Sequence, residues 1–184
     1  RLEYAKLRLN PNKCHFAQRE ITYLGYVISG EGIKATDDKI KAILDFPVPT
    51  DIRSLRSWLG LTGFHRRVIR NYSLIVADLY ELLEKDRPYI WGERQQKSFD
   101  TIKQILTTNP LLRHINSKKQ FRITCDASLR AVAFMVSQPG EDGRWWAVGY
   151  GGSSLPRTLS RSTAAVAEYT ALIKCLSAYR HYMA

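Results

Sequence analysis

The sequence predicts an α+β chain: a short β-hairpin, a basic helical region, then a small module of three antiparallel strands and one helix. Three observations carry that expectation. Apolar residues recur at helical spacing through most of residues 36–107. From Gln120 the texture changes to the alternation of strands, as in "QFRITCDASLRAVAFMVSQ". A last run from about Ser162 to Met183 returns to helical spacing.

The elements follow in order. Residues 13–29, "KCHFAQREITYLGYVIS", read as two short strands around the polar turn "AQRE", and "GEG" then breaks the pattern. Thr36 is placed to cap a helix "DDKIKAILDF", with Ile40, Ile43 and Leu44 as its apolar stripe, and Pro47 and Pro49 end it. Thr50 starts the next helix, whose stripe runs Ile52, Leu55, Trp58 and Leu59. Gly60 and Gly63 interrupt it, each costing about 1 kcal/mol relative to Ala, which points to a close approach to the backbone there. "SLIVADLYELLEK" continues as a helix, and "RPYIWGE" is an extended connector. "RQQKSFDTIKQILTTNP" is a helix with Phe99, Ile102, Ile105 and Leu106 on one face, stopping before Pro110. Strands "FRITCDA" and "AVAFMVSQ", the turn "PGEDG" and strand "RWWAVGY" come next. The final helix is expected to bury Val166, Tyr169, Leu172, Ile173, Leu176 and Tyr179.

With 45% apolar and 24% charged residues over 184 positions, the composition is that of a globular protein with a core. No apolar run approaches the roughly 18 residues that would span a bilayer, and no signal peptide opens the chain. It begins at Arg1 without Met, as a processed product or a piece of something longer would. Cys14, Cys125 and Cys175 fit no zinc spacing and suit a reducing compartment. The net charge is +11, and the excess lies early: 21 basic against 13 acidic residues up to Lys119, then 7 against 4. Such a surface suits a polyanion, nucleic acid before membrane, or serves solubility alone.

Catalytic signatures are sparse. Asp37 and Asp38 are adjacent, but they follow a helix cap, where the helix dipole favours negative charge; they are not a catalytic centre. After Gln120 the acids are Asp126, Glu141, Asp142 and Glu168, with Glu141 and Asp142 in a turn. Asp126 ends a strand and Glu168 sits on the final helix, so the two can converge where helix crosses sheet and hold one Mg²⁺ weakly. Spacing alone favours the more ordinary alternative, in which Asp126 caps its own turn and Glu168 is a solvated helix residue. There is no phosphate-binding glycine loop, HExxH helix or GxSxG elbow, and His65 in "GFHRR" suits a phosphate contact or packing.

At this point the residues match a family. "LNPNKCHFAQREITYLGYVISGEGIKATDDKIKAILDFPVPTDIRSLRSWLGLTGFHRRVIRNYS" resembles the segment after the catalytic palm motif in reverse transcriptases of Gypsy-type LTR retrotransposons. "PLLRHINSKKQFRITCDASLRAVAFMVSQ" and "VGYGGSSL…AEYTALIKCLSAYRHYM" resemble the start of the ribonuclease H domain of the same polyproteins. The resemblance divides the chain into a palm remnant with the primer-grip hairpin (1–34), a helical thumb (35–88), a connector and helix (89–119), and the N-terminal half of a ribonuclease H-like domain (120–184).

The resemblance also implies roles. Tyr23, Leu24, Gly25 and Tyr26 match the primer grip. Arg56, Trp58, Gly60, Gly63 and Phe64 fall on the thumb helix that tracks the minor groove, where bare glycine backbone can approach the sugar–phosphate edge. Arg66, Arg67 and Arg70 would add phosphate contacts. Asp126 and Glu168 match the first two metal-binding acids of ribonuclease H. The polymerase aspartates are expected before Arg1 and the remaining ribonuclease H acids after Ala184, so the chain is expected to hold neither active site whole. The hairpin "AVAFMV" replaces the family's glycine-containing one, and Gly63 and His65 stand where relatives often carry Asn and Tyr.

The expected function is therefore that of a reverse transcriptase–ribonuclease H fragment that grips RNA–DNA hybrid or DNA duplex without turnover. Mg²⁺ is the cofactor of the parent family, and none is expected to bind this chain tightly. The alternative is a domesticated, inactive module whose open sheet is completed by a protein partner or a second copy. Either works inside the cell, in a cytoplasmic virus-like particle or the nucleus, and not at a membrane.

Overall fold

The computed structural model describes residues 1–108, 110–156 and 163–183. The first sheet has three antiparallel strands in sequence order, β1 (Glu20–Tyr23), β2 (Tyr26–Ser29) and β3 (Gly32–Ala35). Leu24 and Gly25 form the two-residue turn between β1 and β2, both with positive φ (49° and 78°), the twist a tight hairpin favours. This corrects the expected pairing around "AQRE". Pro11–Lys13 is a single 3₁₀ turn, held by the Asn10 side chain accepting from the Asn12 amide at 3.1 Å, so that segment closes on itself. The glycine-rich break is also a strand start. β3 pairs beyond β2, and the Ile33 amide and carbonyl bond Leu112 at 2.8 and 3.0 Å. A Cβ on Gly32 would run into the Leu112 carbonyl, so the approach requires glycine.

Helix α1 (Asp37–Leu44) starts at Thr36, which caps through its carbonyl rather than its hydroxyl, accepting from the Lys39 and Ile40 amides at 3.1 Å. The carbonyls left open at its end are filled from far away: Lys103 Nζ donates to Leu44 and Phe46 oxygens at 2.7 and 2.6 Å. Helix α2 (Ile52–Phe64) begins at Asp51, not Thr50, because Asp51 and Ser54 form a reciprocal capping box. The expected helix over residues 73–85 is broken into α3 (Tyr72–Ile75) and α4 (Ala77–Glu81), hinged at Val76. Helix α5 (Glu93–Thr107) runs as expected. Trp58 is fully buried between Phe46 and Phe99, at ring separations of 5.4 and 4.3 Å, in a core with Leu55, Ile69, Leu79, Ile102 and Leu106. A side chain so enclosed cannot reach a duplex, so the helix residue expected to touch nucleic acid at Trp58 is instead the pin of the helical core.

The second sheet is ordered β4 (Arg122–Ala127), β5 (Ala131–Pro139), β6 (Trp145–Ser154), all antiparallel. Among the described residues the outer edge of β4 is unpaired. Helix α6 (Ala164–Met183) crosses this sheet; its expected start at Ser162 lies outside the described residues. Its buried face differs from the expected one. Ala167, Ala171 and Cys175, spaced by four, meet Val132, Phe134 and Val136 of β5. Bulky strand residues leave room only for small helix residues, so Val166, Tyr169, Ile173 and Leu176 are turned outward, and Leu172 and Tyr179 are half-buried.

The two halves are fastened at several points. Helix α3 packs on β5 and β6, and the Arg113 amide bonds the Ala147 carbonyl at 3.0 Å. Arg130, in the β4–β5 turn, pairs with Asp78 at 2.8 Å and with Glu81 of α4; Arg94 also pairs with Asp78, and Arg87 with Glu81 at 2.8 Å. Glu81 is buried, so it is the anchor of this cluster.

Candidate nucleic-acid interface

Local chemistry fixes the hairpin to the end of α2. Tyr26 stacks on Phe64, with centroids 5.1 Å apart and planes 21° from parallel, and its hydroxyl donates to the Phe64 carbonyl at 2.7 Å. That carbonyl is one of those a helix leaves unpaired at its C-terminus. His65 lies edge-on to both rings, fully buried, and among the described residues neither of its nitrogens has a partner. Burial, and then the charge of Lys39, hold its imidazole below its ordinary pKa of 6.5, so the ring is neutral at neutral pH. His65 therefore packs, one of the two uses its sequence context suggested.

The expected residues divide by exposure. Tyr23 and Leu24 project at the hairpin tip, while Gly25 sits against Phe64 and Tyr26 is turned inward as the fastener. On α2 the residues Arg56, Gly60 and Gly63, at spacings of four and three, lie along one side of the helix beside the buried stripe of Leu55, Trp58 and Leu59, with Gly63 half-buried next to the Tyr72 hydroxyl. Arg56 and Gly60 are exposed, and a Cβ on Gly60 would meet open space. Phe64 stands partly exposed at the end of that face. Beyond it a buried ladder closes the helix: Thr62 Oγ1 donates to the Trp58 carbonyl and shares a 2.9 Å hydrogen bond with the Tyr72 hydroxyl. Burial pushes the Tyr72 phenol up to about 12.

Arg66, Arg67 and Arg70 are exposed on the segment between α2 and α3. They do not all point away from the second sheet. The charge of Arg67 is felt at Tyr179 of α6, and that of Arg70 at Tyr150 of β6, where each offsets part of the rise that burial imposes on the phenol. Arg66 and Arg67 line a cleft of about 580 Å³ together with Tyr150, Lys174, Tyr179 and Tyr182.

Asp126 lies on the exposed face of β4, and its Oδ2 accepts from Asn71 Nδ2 at 2.9 Å. Glu168 is exposed on α6, near enough for its charge, second to burial, to raise the pKa of the Cys125 thiol next to Asp126. Among the described residues no group of three or more His, Cys, Asp or Glu could hold a metal ion. Two carboxylates, one already engaged by an amide, do not make a closed Mg²⁺ site. Asn71 was not singled out from sequence, although an Asn before a helix is a residue that tolerates the left-handed conformation it adopts here (φ 57°).

Residues 91–184 match the RNase H-like domain found in reverse transcriptase. The chain belongs to that family. Along its whole length it is 32% identical to the Tf2-3 and Tf2-4 transposon polyproteins of Schizosaccharomyces pombe, of which it spans 14%. It is thus a segment of a Gypsy-type LTR-retrotransposon reverse transcriptase–ribonuclease H, as the motif order implied. In the solved structures, the foamy viral protease–reverse transcriptase in complex with RNA/DNA hybrid superposes with a TM-score of 0.72 at 20% identity, over 91% of this chain and 23% of the viral one. The same viral enzyme in complex with dsDNA gives 0.67 at 22% identity, over 87% and 34%. These likenesses establish the α+β fold of this reverse transcriptase segment. No described helix is long and apolar enough to cross a membrane.

Proposed function

We propose that this reverse transcriptase segment grips an RNA–DNA hybrid or DNA duplex through the outer face of α2 and the hairpin tip. The observation that carries the reading is a set of exposed residues brought together at one end of the helix: Arg56, Gly60 and Phe64 are exposed and Gly63 is half-buried, and the Tyr26–Phe64 fastening holds the exposed hairpin tip, Tyr23 and Leu24, at the Phe64 end. Bare backbone at Gly60 admits a sugar–phosphate edge, and Arg56, Arg66, Arg67 and Arg70 supply positive charge that positions without reading sequence. The duplexes held by the fold-sharing foamy viral enzyme are in keeping with this. Trp58 acts from inside, by pinning the helix to the core.

Asp126 and Glu168 are proposed as metal-binding acids by descent, and the 184-residue chain is expected to show no ribonuclease H or polymerase turnover by itself. The module works inside the cell, in a virus-like particle or in the nucleus. Fluorescence anisotropy of a blunt RNA–DNA hybrid at two salt concentrations tests the grip. Wild type should bind with a steep salt dependence, and Arg56→Ala should lower the slope by about 0.9, the value for one phosphate of B-DNA. Binding that ignores both salt and Arg56 would sink it.

A second reading rests on the open edge of β4: a domesticated module whose sheet is extended by a strand from a protein partner or a second copy. Hydrogen exchange decides it. The β4 amides that face away from β5 should exchange freely in dilute monomer and become protected when the partner or a second copy pairs with them.

A further inference from the structure

The cleft between the arginine segment and the second sheet has a composition of its own. Arg66 and Arg67 line it together with Lys174 of α6, and among the described residues no carboxylate does. None of these three cations has an ion pair among the described residues, although Arg87, Arg94 and Arg130 elsewhere are all paired. The aromatic lining is equally specific. Tyr179 and Tyr182 lie 6.2 Å apart on α6, and the Tyr179 hydroxyl rests where a Cβ on Gly149 would stand, so the glycine-rich strand β6 forms the floor. Tyr150 also faces the space, and Ser153 at its end has a hydroxyl closed off from solvent without a hydrogen-bond partner. Burial keeps the Tyr150 and Tyr179 phenols protonated, so they can donate to an anion rather than repel it.

We propose that this cleft binds a phosphodiester of single-stranded nucleic acid, with its phosphate on Arg66, Arg67 and Lys174 and its base against the Tyr179–Tyr182 pair. Unpaired cations converging on one space call for an anion, and planar guanidinium groups match phosphate oxygens. Tyrosine faces accept any base by stacking, which is how sequence-tolerant single-strand sites are built. A volume of about 580 Å³ is that of a small-ligand pocket, so one or two nucleotides fit and a duplex does not. The site shares Arg66 and Arg67 with the duplex grip proposed above and otherwise stands apart from it, since Lys174, Tyr179 and Tyr182 lie on a different element.

The test uses the whole chain and two fluorescent probes, single-stranded dT12 and a blunt RNA–DNA hybrid, with Lys174→Glu and Tyr182→Ala. Both residues are exposed enough for the substitutions to leave the fold intact, which a thermal melt verifies. Lys174→Glu should weaken dT12 about tenfold, and Tyr182→Ala by a similar order, while blunt-hybrid binding stays within about twofold. Unchanged dT12 binding in both variants overturns the proposal, whatever the hybrid does. Loss of hybrid binding in Arg56→Ala, or its absence in wild type, speaks only to the duplex grip. Competition with AMP separates the sources of the phosphate: a strand site holds dT12 against millimolar AMP, whereas equal affinity for AMP and dT12 overturns the strand in favour of a free nucleotide.

Discussion

Asn71 Nδ2 donates to Asp126 Oδ2 at 2.9 Å, across 55 residues of chain, and so ties the start of α3 to the acid that ribonuclease H resemblance marks as a metal ligand. The bond holds the carboxylate against the helical half of the molecule, and the Asn71 that makes it has a left-handed backbone, at φ 57°.

The first prediction separates those two properties. Asn71→Gly keeps the left-handed backbone at no steric cost but deletes the amide, and should cost about 0.5–1.5 kcal/mol, the net worth of a hydrogen bond. Asn71→Ala also imposes the left-handed conformation on a Cβ without local hydrogen bonding, adding about 1 kcal/mol. Urea denaturation of both variants measures the difference; equal losses would show that the conformation carries no cost here.

A second prediction concerns the fastening of the hairpin. Tyr26→Phe retains the stack on Phe64 and removes only the donor to its carbonyl, so stability should drop by about 1 kcal/mol. Tyr26→Ala loses the stack as well and should cost about 3 kcal/mol or more. If the hairpin tip contributes to duplex binding, Tyr26→Ala weakens it through misplacement of Tyr23 and Leu24, and Tyr26→Phe does so far less. Denaturation and hybrid anisotropy on the same samples read both effects.

Third, the ion cluster at α4 should behave as a joint between the halves. Arg130→Ala leaves Glu81 buried with Arg87 still beside it. The loss should be about 1–2 kcal/mol, below the 3–5 of a fully buried pair, because 44% of the Arg130 side chain is exposed. A double-mutant cycle with Glu81→Gln should return a coupling of at least about 0.5 kcal/mol, and a coupling near zero would mean that the Arg130–Glu81 pair adds nothing to the joint.

These contacts mark where sequence reading reaches its limit. Alternation over residues 120–138 and stripes such as Phe99–Ile102–Leu106 revealed the strands and helices, because each pattern is local. The residues Tyr23–Tyr26 stood out in the sequence, and the structure makes their centre, Leu24–Gly25, a tight hairpin turn. The buried face of α6 was not legible, since the helix is apolar on several sides and the choice of Ala167, Ala171 and Cys175 is made by the bulk of β5. The burial of Trp58 was legible in the apolar stripe of its helix, and it is the duplex contact implied by resemblance that its packing against Phe46 and Phe99 excludes. The pairs Asn71–Asp126, Arg130–Glu81 and Lys103–Leu44 have no signature before the chain folds.

The last prediction turns on His65. Its folded pKa lies below the ordinary 6.5 because the ring is buried without hydrogen-bond partners and Lys39 repels a positive charge. The unfolded chain then binds a proton more readily than the folded one as pH falls below about 6.5, so the folded state loses stability in that direction. Above that pH the imidazole is neutral in both states and the contribution is fully present; it is lost as pH falls toward the folded pKa. Melting temperature measured from pH 7.5 to pH 5 should therefore decline in wild type. His65→Leu keeps an apolar side chain of similar bulk among Tyr26 and Phe64 and removes the titrating group, so its profile should be flatter over the same range. Parallel declines in the two proteins would assign the acid sensitivity to other groups and leave His65 as packing alone.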